Sequence, residues 1–189
     1  MCDITEFLEK YPRSRKAKPF SARELSLLSD DKAPPVIAQF LQTEGQCAYH
    51  DDFFLTTLPR AHFQTLSEWG LNGKQCFAFM RTALGSICYS HNGKIYQLDP
   101  ISGYLYKGRF DFCDFMNVLA TMDSFLESAY FDVYKTSKTN QILEYDDVYG
   151  LFPALPLGGS FQSSHFKIVK MREYLAISAQ LYAGKARQL

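Results

Sequence analysis

The chain shows no excess of either charge. Lys+Arg and Asp+Glu each number 20 in 189 residues, for a formal net charge of zero. Nucleic-acid binders draw most of their affinity from neutralising phosphates, so a balanced chain does not present the global basic excess such binding favours. It equally lacks the acidic excess of a whole-surface DNA mimic. Cysteine is scarce and odd in number: Cys2, Cys47, Cys76, Cys88 and Cys113, none at CxxC spacing. This argues against a disulfide framework and against a zinc site. No apolar run reaches the roughly 18 residues a membrane span needs. The opening Met-Cys-Asp-Ile-Thr-Glu has neither a basic nor an apolar leader region. Reduced thiols without leader or span lead to the expectation of a cytoplasmic protein. Internal repeats and low-complexity tracts are also absent.

The motifs of common enzymes are missing too. Gly85-Ser86 and Gly159-Ser160 do not complete a G-x-S-x-G nucleophile elbow. Leu157-Gly158-Gly159-Ser160 lacks the lysine and the strand-to-helix setting of a phosphate loop, and reads as a tight turn. His50, His62, His91 and His165 pair with no second His or Cys at metal-ligand spacing. His91 falls in a predicted hairpin turn, where a solvated imidazole is the natural reading. The expectation is therefore a protein with no catalytic residues, no metal and no cofactor.

Large rings are abundant, with 16 Phe and 12 Tyr. Most belong to a core, since a ring needs only burial to stabilise a fold. Residues 11–19 carry four basic residues and no acid, and read as a solvated, mobile N-terminal segment. Asp30 and Asp31, Pro34-Pro35 and the apolar positions 36, 37, 40 and 41 predict a helix ended by Gly45. Residues 47–58 read as extended or looped. A short helix from Pro59 carries Phe63, Leu66 and Trp69. From Cys76 the period shortens to that of strands. Asn92-Gly93, between Gly85–Ser90 and Ile95–Leu98, signals a type I′ hairpin. Tyr104-Leu-Tyr106 adds a further strand, giving an antiparallel meander. Asp111 predicts the N-cap of a helix with Phe112, Phe115, Met116, Leu119, Met122 and Leu126 on one face. Residues 135–142 read as a loop, and 144–159 as a turn-rich segment. His165–Val169 reads as a short strand and Met171–Tyr182 as a final helix. The fold class is α+β: an antiparallel meander sheet packed with helices.

The stretch Glu144-Tyr-Asp-Asp-Val-Tyr-Gly-Leu-Phe-Pro-Ala-Leu-Pro-Leu-Gly-Gly159, followed by Lys167-Ile-Val-Lys-Met-Arg-Glu-Tyr-Leu-Ala-Ile-Ser-Ala-Gln-Leu181, resembles the C-terminal domain of Tdi-type immunity proteins of bacterial type VI secretion systems. Phe79–Gly85, Tyr96–Gly103 and the helix at Phe112 suit the same domain. Residues 34–75 resemble the GAD-like domain that often precedes it. The helix-meander-helix order is also SMI1/KNR4-like. The resemblance implies a division into residues 1–75 and 76–189, either as two regions or as one compact unit, since no linker composition marks a seam near residue 75. It also implies a cytoplasmic antidote that binds and neutralises a cognate secreted toxin, often a nuclease and here expected to be a DNase, in competition between bacteria. It carries no catalytic residues. A DNase presents a basic groove, so a blocking surface should set acids beside rigid aromatics. Two stretches meet that description: Tyr49, Asp51, Asp52 and Phe53, and Glu144, Asp146, Asp147 and Tyr149. The alternatives are a regulatory or scaffold module of SMI1/KNR4-like type, and an RNA binder using Arg13 to Lys18.

Overall fold

The computed structural model describes residues 2–182, 187 and 188. Period-two sequence from Phe77 onward folds into a meander of β3 (Phe77–Thr82), β4 (Ile87–His91), β5 (Lys94–Asp99) and β6 (Tyr104–Lys107). Asn92 and Gly93 take φ of 49° and 73° between β4 and β5, as an Asn-Gly hairpin turn requires. Upstream, β1 (Ala48–Tyr49) and β2 (Phe54–Thr56) extend the sheet, β2 pairing antiparallel with β3. Strands from both sides of residue 75 therefore share one sheet. Its order is β1-β2-β3-β4-β5-β6-β9, where β9 (Arg187–Gln188) lies parallel to β6. The α+β fold with an antiparallel meander is as the sequence predicts.

Alternation along the strands sends side chains to two cores. On β4, Cys88 faces one core, while Ile87 and Tyr89 face the other. The first core is covered by α1 (Thr5–Lys10), α3 (Pro35–Glu44) and α5 (Phe112–Thr121), through Phe7, Phe40, Leu41, Phe112, Phe115 and Leu119. The second is covered by α4 (Phe63–Glu68) and α8 (Met171–Leu181), through Leu66, Tyr174 and Leu175. Helix α2 (Ala22–Asp30) opens on a capping box between Ser21 and Glu24, a device that satisfies two free backbone N–H groups. Asp111 caps α5 by accepting the Asp114 N–H at 3.0 Å.

Several expectations are corrected. The basic segment 11–19 is no solvated arm: Tyr11 is fully buried, and Arg13 and Lys18 bridge to Tyr49 and Gln46 along the sheet edge. Gly45 permits this strap, because a Cβ there would stand 2.6 Å from the Lys18 carbonyl oxygen. The α5 pattern does not run on to Leu126. Extended Met122 breaks it, and α6 (Asp123–Ser128) starts anew. The predicted loop 135–142 begins inside α7 (Phe131–Ser137), and the turn-rich segment contains β7 (Asp147–Leu151). That strand pairs with β8 (Phe166–Lys170) in a separate two-stranded sheet. His91 ends β4, its Nδ1 3.1 Å from the Gln75 carbonyl, rather than sitting free in the turn. Cys2 and Cys113 form a disulfide, which the odd cysteine count had argued against.

Candidate interaction face

His50, Asp51 and Asp52 all hold positive φ, at 51°, 59° and 67°. Left-handed backbone costs an L residue about 1–2 kcal/mol, so such a turn persists only where its surroundings fix it. Here they do. The N–H of His50 donates to the Pro12 carbonyl at 3.0 Å, and that of Asp52 to Ser14 Oγ at 2.8 Å. The Asp51 carbonyl accepts from the Tyr134 hydroxyl at 2.7 Å and from Lys138 Nζ at 3.0 Å. The turn sends the Asp51 side chain to solvent and Phe53 into the core.

In the first nominated stretch this geometry separates the aromatics from Asp51; in the second, Asp147 and Tyr149 are both buried along β7. Tyr49 is buried, and its hydroxyl donates to Glu44 Oε2 at 2.6 Å. Arg13 Nε and Nη2 reach the same oxygen at 3.0 and 2.7 Å. Burial, then the Glu44 carboxylate, pushes the Tyr49 phenol far above its usual range. Phe53 lies 5.0 Å from Phe131 and 5.3 Å from Tyr134, ring to ring. Tyr149 is buried against Tyr134, and its hydroxyl accepts the Thr139 N–H. The expected surface aromatics are interior residues, because each sits where the core needs a ring. The acids are mostly at the surface but already matched. Asp51 pairs with Lys138 at 2.6 Å and Asp52 with Arg15 at 3.5 Å. Asp146 and Asp147 share Lys170, at 3.0 and 2.7 Å. The Lys170 hydrogen bond holds the Asp146 carboxyl below the usual range. Glu144 is exposed. Arg15 joins the two stretches, touching Asp52 and the Leu143 carbonyl. The structure thus brings both stretches into one neighbourhood, but as a salt-bridged structural unit.

A different surface lies in the segment whose sequence reads as turn-rich. The connection from β7 to β8, residues 152–165, contains no Asp, Glu, Lys or Arg. It carries three of the seven exposed large hydrophobics among the described residues: Leu157 at 63% exposure, Phe161 at 39% and Phe152 at 37%. Its backbone is closely packed. A 3-10 turn spans Leu155–Leu157, and a Cβ on Gly159 would fall 1.8 Å from the Pro153 carbonyl oxygen. The Phe161 ring lies 4.8 Å from Tyr130, and Phe152 5.9 Å from Tyr174. His165 Nδ1 sits 3.3 Å from Ser160 Oγ and 3.2 Å from the Ser160 carbonyl, tying the loop's return to its middle. The absence of charge was the available signal; exposure is what gives it meaning.

The interior holds ionisable groups with structural settings. Arg81 is fully buried, with Nη2 donating to the Tyr145 carbonyl at 2.7 Å. Loss of solvent pulls its pKa down to about 10. His62, also fully buried, lies 2.7 Å from Thr57 Oγ1, and burial lowers its pKa to about 3. Asp99 gathers donors from Ile101, Ser102 and Tyr130, yet burial still raises its pKa. Buried thiols Cys76 and Cys88 are raised to about 11 and about 12, which leaves them little thiolate. Among the described residues no group of three or more His, Cys, Asp or Glu is placed to hold a metal ion. No helix among them is long and apolar enough to cross a membrane.

Residues 110–182 match the family described as T6SS immunity protein Tdi1, C-terminal. That span contains α5 to α8, β7, β8 and the uncharged loop. The crystal structure of Atu4351 from Agrobacterium tumefaciens is similar at a TM-score of 0.73, covering 95% of this chain and 89% of that one at 14% sequence identity. At that identity the likeness speaks for the fold. No curated protein matches the sequence.

Proposed function

We propose that this chain, whose residues 110–182 match the Tdi1 family of type VI secretion immunity proteins, protects its cell by binding and neutralising one cognate secreted toxin. The family match carries this reading. Neutralisation by binding needs a surface and no chemistry of its own, and it needs an affinity on the order of nanomolar, about −12 kcal/mol. The toxin is read as a nuclease, a DNase in the first instance, because nucleases are common partners in the resemblance described above. We place the protein in the cytoplasm, where a delivered nuclease would act, with no cofactor and no nucleic acid of its own. Of the acids in the two stretches, Asp51, Glu144 and Asp146 reach solvent.

Co-expression with the toxin encoded beside it tests the reading. Survival of the host together with co-purification of a stable complex is the expected outcome. Death of the host and no complex, with both proteins folded, would overturn it in favour of a regulatory or scaffold role.

A further inference from the structure

We infer that the cleft between α1 and α3 is a docking site, and that its occupant is a basic, amphipathic segment of the toxin, with apolar side chains in the cleft and Lys or Arg at its rim. The inference rests on the antidote reading and adds the place and the chemistry of contact.

The cleft encloses about 480 Å³ between the two helices, with Phe112 of α5 in its lining. Ile4, Leu8, Val36 and Phe40 give it apolar walls; Asp3 and Glu44 line it, but no Lys or Arg does. Its frame is set before any partner arrives. The Cys2–Cys113 disulfide fastens the start of α1 to α5, and the Tyr11 hydroxyl fastens its end by donating to the Leu119 carbonyl at 2.6 Å. Phe40 packs on Phe112 at 5.3 Å, ring to ring, which holds α3 to the same helix. Binding loses free energy whenever a surface must be ordered, and these walls are ordered already.

Charge names the occupant. Residues 2–9 hold Asp3, Glu6 and Glu9, and residues 110–134 hold Asp111, Asp114, Asp123, Glu127 and Asp132. Neither stretch contains a Lys or Arg, although Arg109 stands just before the second. The whole chain is neutral, so this concentration of acid is local. Asp3, Glu6, Glu9, Asp111 and Asp114 are exposed, and none is in an ion pair among the described residues. Lys10, the one cation of α1, is matched by Asp123 at 2.9 Å, and the buried Glu44 by Arg13 at 2.7 Å. The unmatched acids stand beside the lining: Asp3, Glu6 and Glu9 alternate in sequence with Ile4, Thr5 and Leu8, and Asp111 precedes Phe112. An apolar cleft with such a rim repels phosphate and suits a cationic segment whose apolar side chains fill it. A nuclease draws its substrate with Lys and Arg, so its surface supplies segments of that kind.

The test is the affinity of the full chain for the toxin encoded beside it, in a catalytically silenced form, at about 0.1 M and about 0.5 M NaCl. Wild type is expected to lose at least about tenfold in affinity across that range, because unmatched charges meet. Gln39→Lys with Thr43→Lys, at exposed positions of the lining, is expected to weaken binding at least about tenfold at the lower salt, by setting cations where the partner brings its own. Neutralising the rim (Glu6→Gln, Glu9→Gln, Asp114→Asn) is expected to weaken binding about threefold or more and to flatten the salt dependence. Glu173→Gln, at an exposed acid on α8, is expected to change nothing. Unchanged melting temperatures would show that each variant folds. Wild-type-like binding by the lysine variant, a wild type indifferent to salt, or a loss at Glu173→Gln as large as at the cleft would each overturn the inference. So would a dimer of this chain dispersed by the lysine variant, which would assign the cleft to a second copy. Failure of the wild type to bind at either salt would overturn the antidote reading, and the inference with it.

Discussion

Two surface regions of this molecule use their residues in opposite ways. Around the left-handed turn at His50–Asp52, the charged groups pair with one another: Arg13 and Tyr49 converge on Glu44, Lys138 and Tyr134 on Asp51, Arg15 on Asp52, while His50 Nε2 and Asp52 Oδ1 are buried without a hydrogen bond. In the β7–β8 loop, large apolar side chains face solvent on a backbone that is itself well fixed. Charge draws attention in a sequence, yet the charged region is the self-satisfied one. The loop with no charge at all carries three of the seven exposed large hydrophobics among the described residues.

Substitutions can break this contrast. A large effect on stability is expected at Glu44. Glu44→Ala would strand the buried Tyr49 hydroxyl and leave Arg13 unmatched, at about 2–3 kcal/mol in urea unfolding. The partly solvent-facing Arg13 keeps the figure below that of a fully buried pair. Comparable in size is the effect of the Cys2–Cys113 clasp, which fastens the start of the chain to α5 across a sequence separation of 111. In the chain-entropy account, Cys113→Ser should lower stability by about 2–4 kcal/mol. A reducing agent should lower the wild-type melting point and leave the variant's unchanged.

His62 gives the next effect, and its sign follows from the direction of its shift. Its pKa is about 3 in the fold against 6.5 as an ordinary imidazole, so it binds a proton only on unfolding. Its contribution is intact above pH 6.5 and is lost as pH falls toward 3, at up to about 1.4 kcal/mol per pH unit. His62→Gln should flatten that acid limb in stability measured from pH 7 to about 4. Tyr134→Phe should then cost about 1 kcal/mol, by removing one of the bonds that hold the strained turn. Smallest of all, Leu157→Ser should move stability by no more than about 0.5 kcal/mol, because the side chain is exposed. A large loss there would mean that the loop belongs to the core, and would erase the contrast.

Much of the fold was legible because it is written in local signals. Asn92-Gly93, the Asp111 cap, the period-two strands and the Met171–Tyr182 helix each depend on near neighbours in sequence. The missed features depend on distant ones. Nothing near Asp51 announces Lys138, and nothing near Arg13 announces Glu44. Strand β7 hides in a segment rich in Gly and Pro because its partner β8 lies beyond the loop. Tyr49, Phe53 and Tyr149 looked like surface anchors through the acids beside them. At Asp51 and Asp52 a positive φ turns the chain, so neighbours in sequence go to opposite sides of the surface. The β7–β8 loop was readable as uncharged but not as exposed, since a run of Leu, Pro and Phe is equally at home in a core.

The most direct test of the central claim is survival of cells making the toxin together with this chain, folded and abundant. The account predicts that growth is rescued and that the two proteins co-purify. Death of the cells with no complex would contradict it.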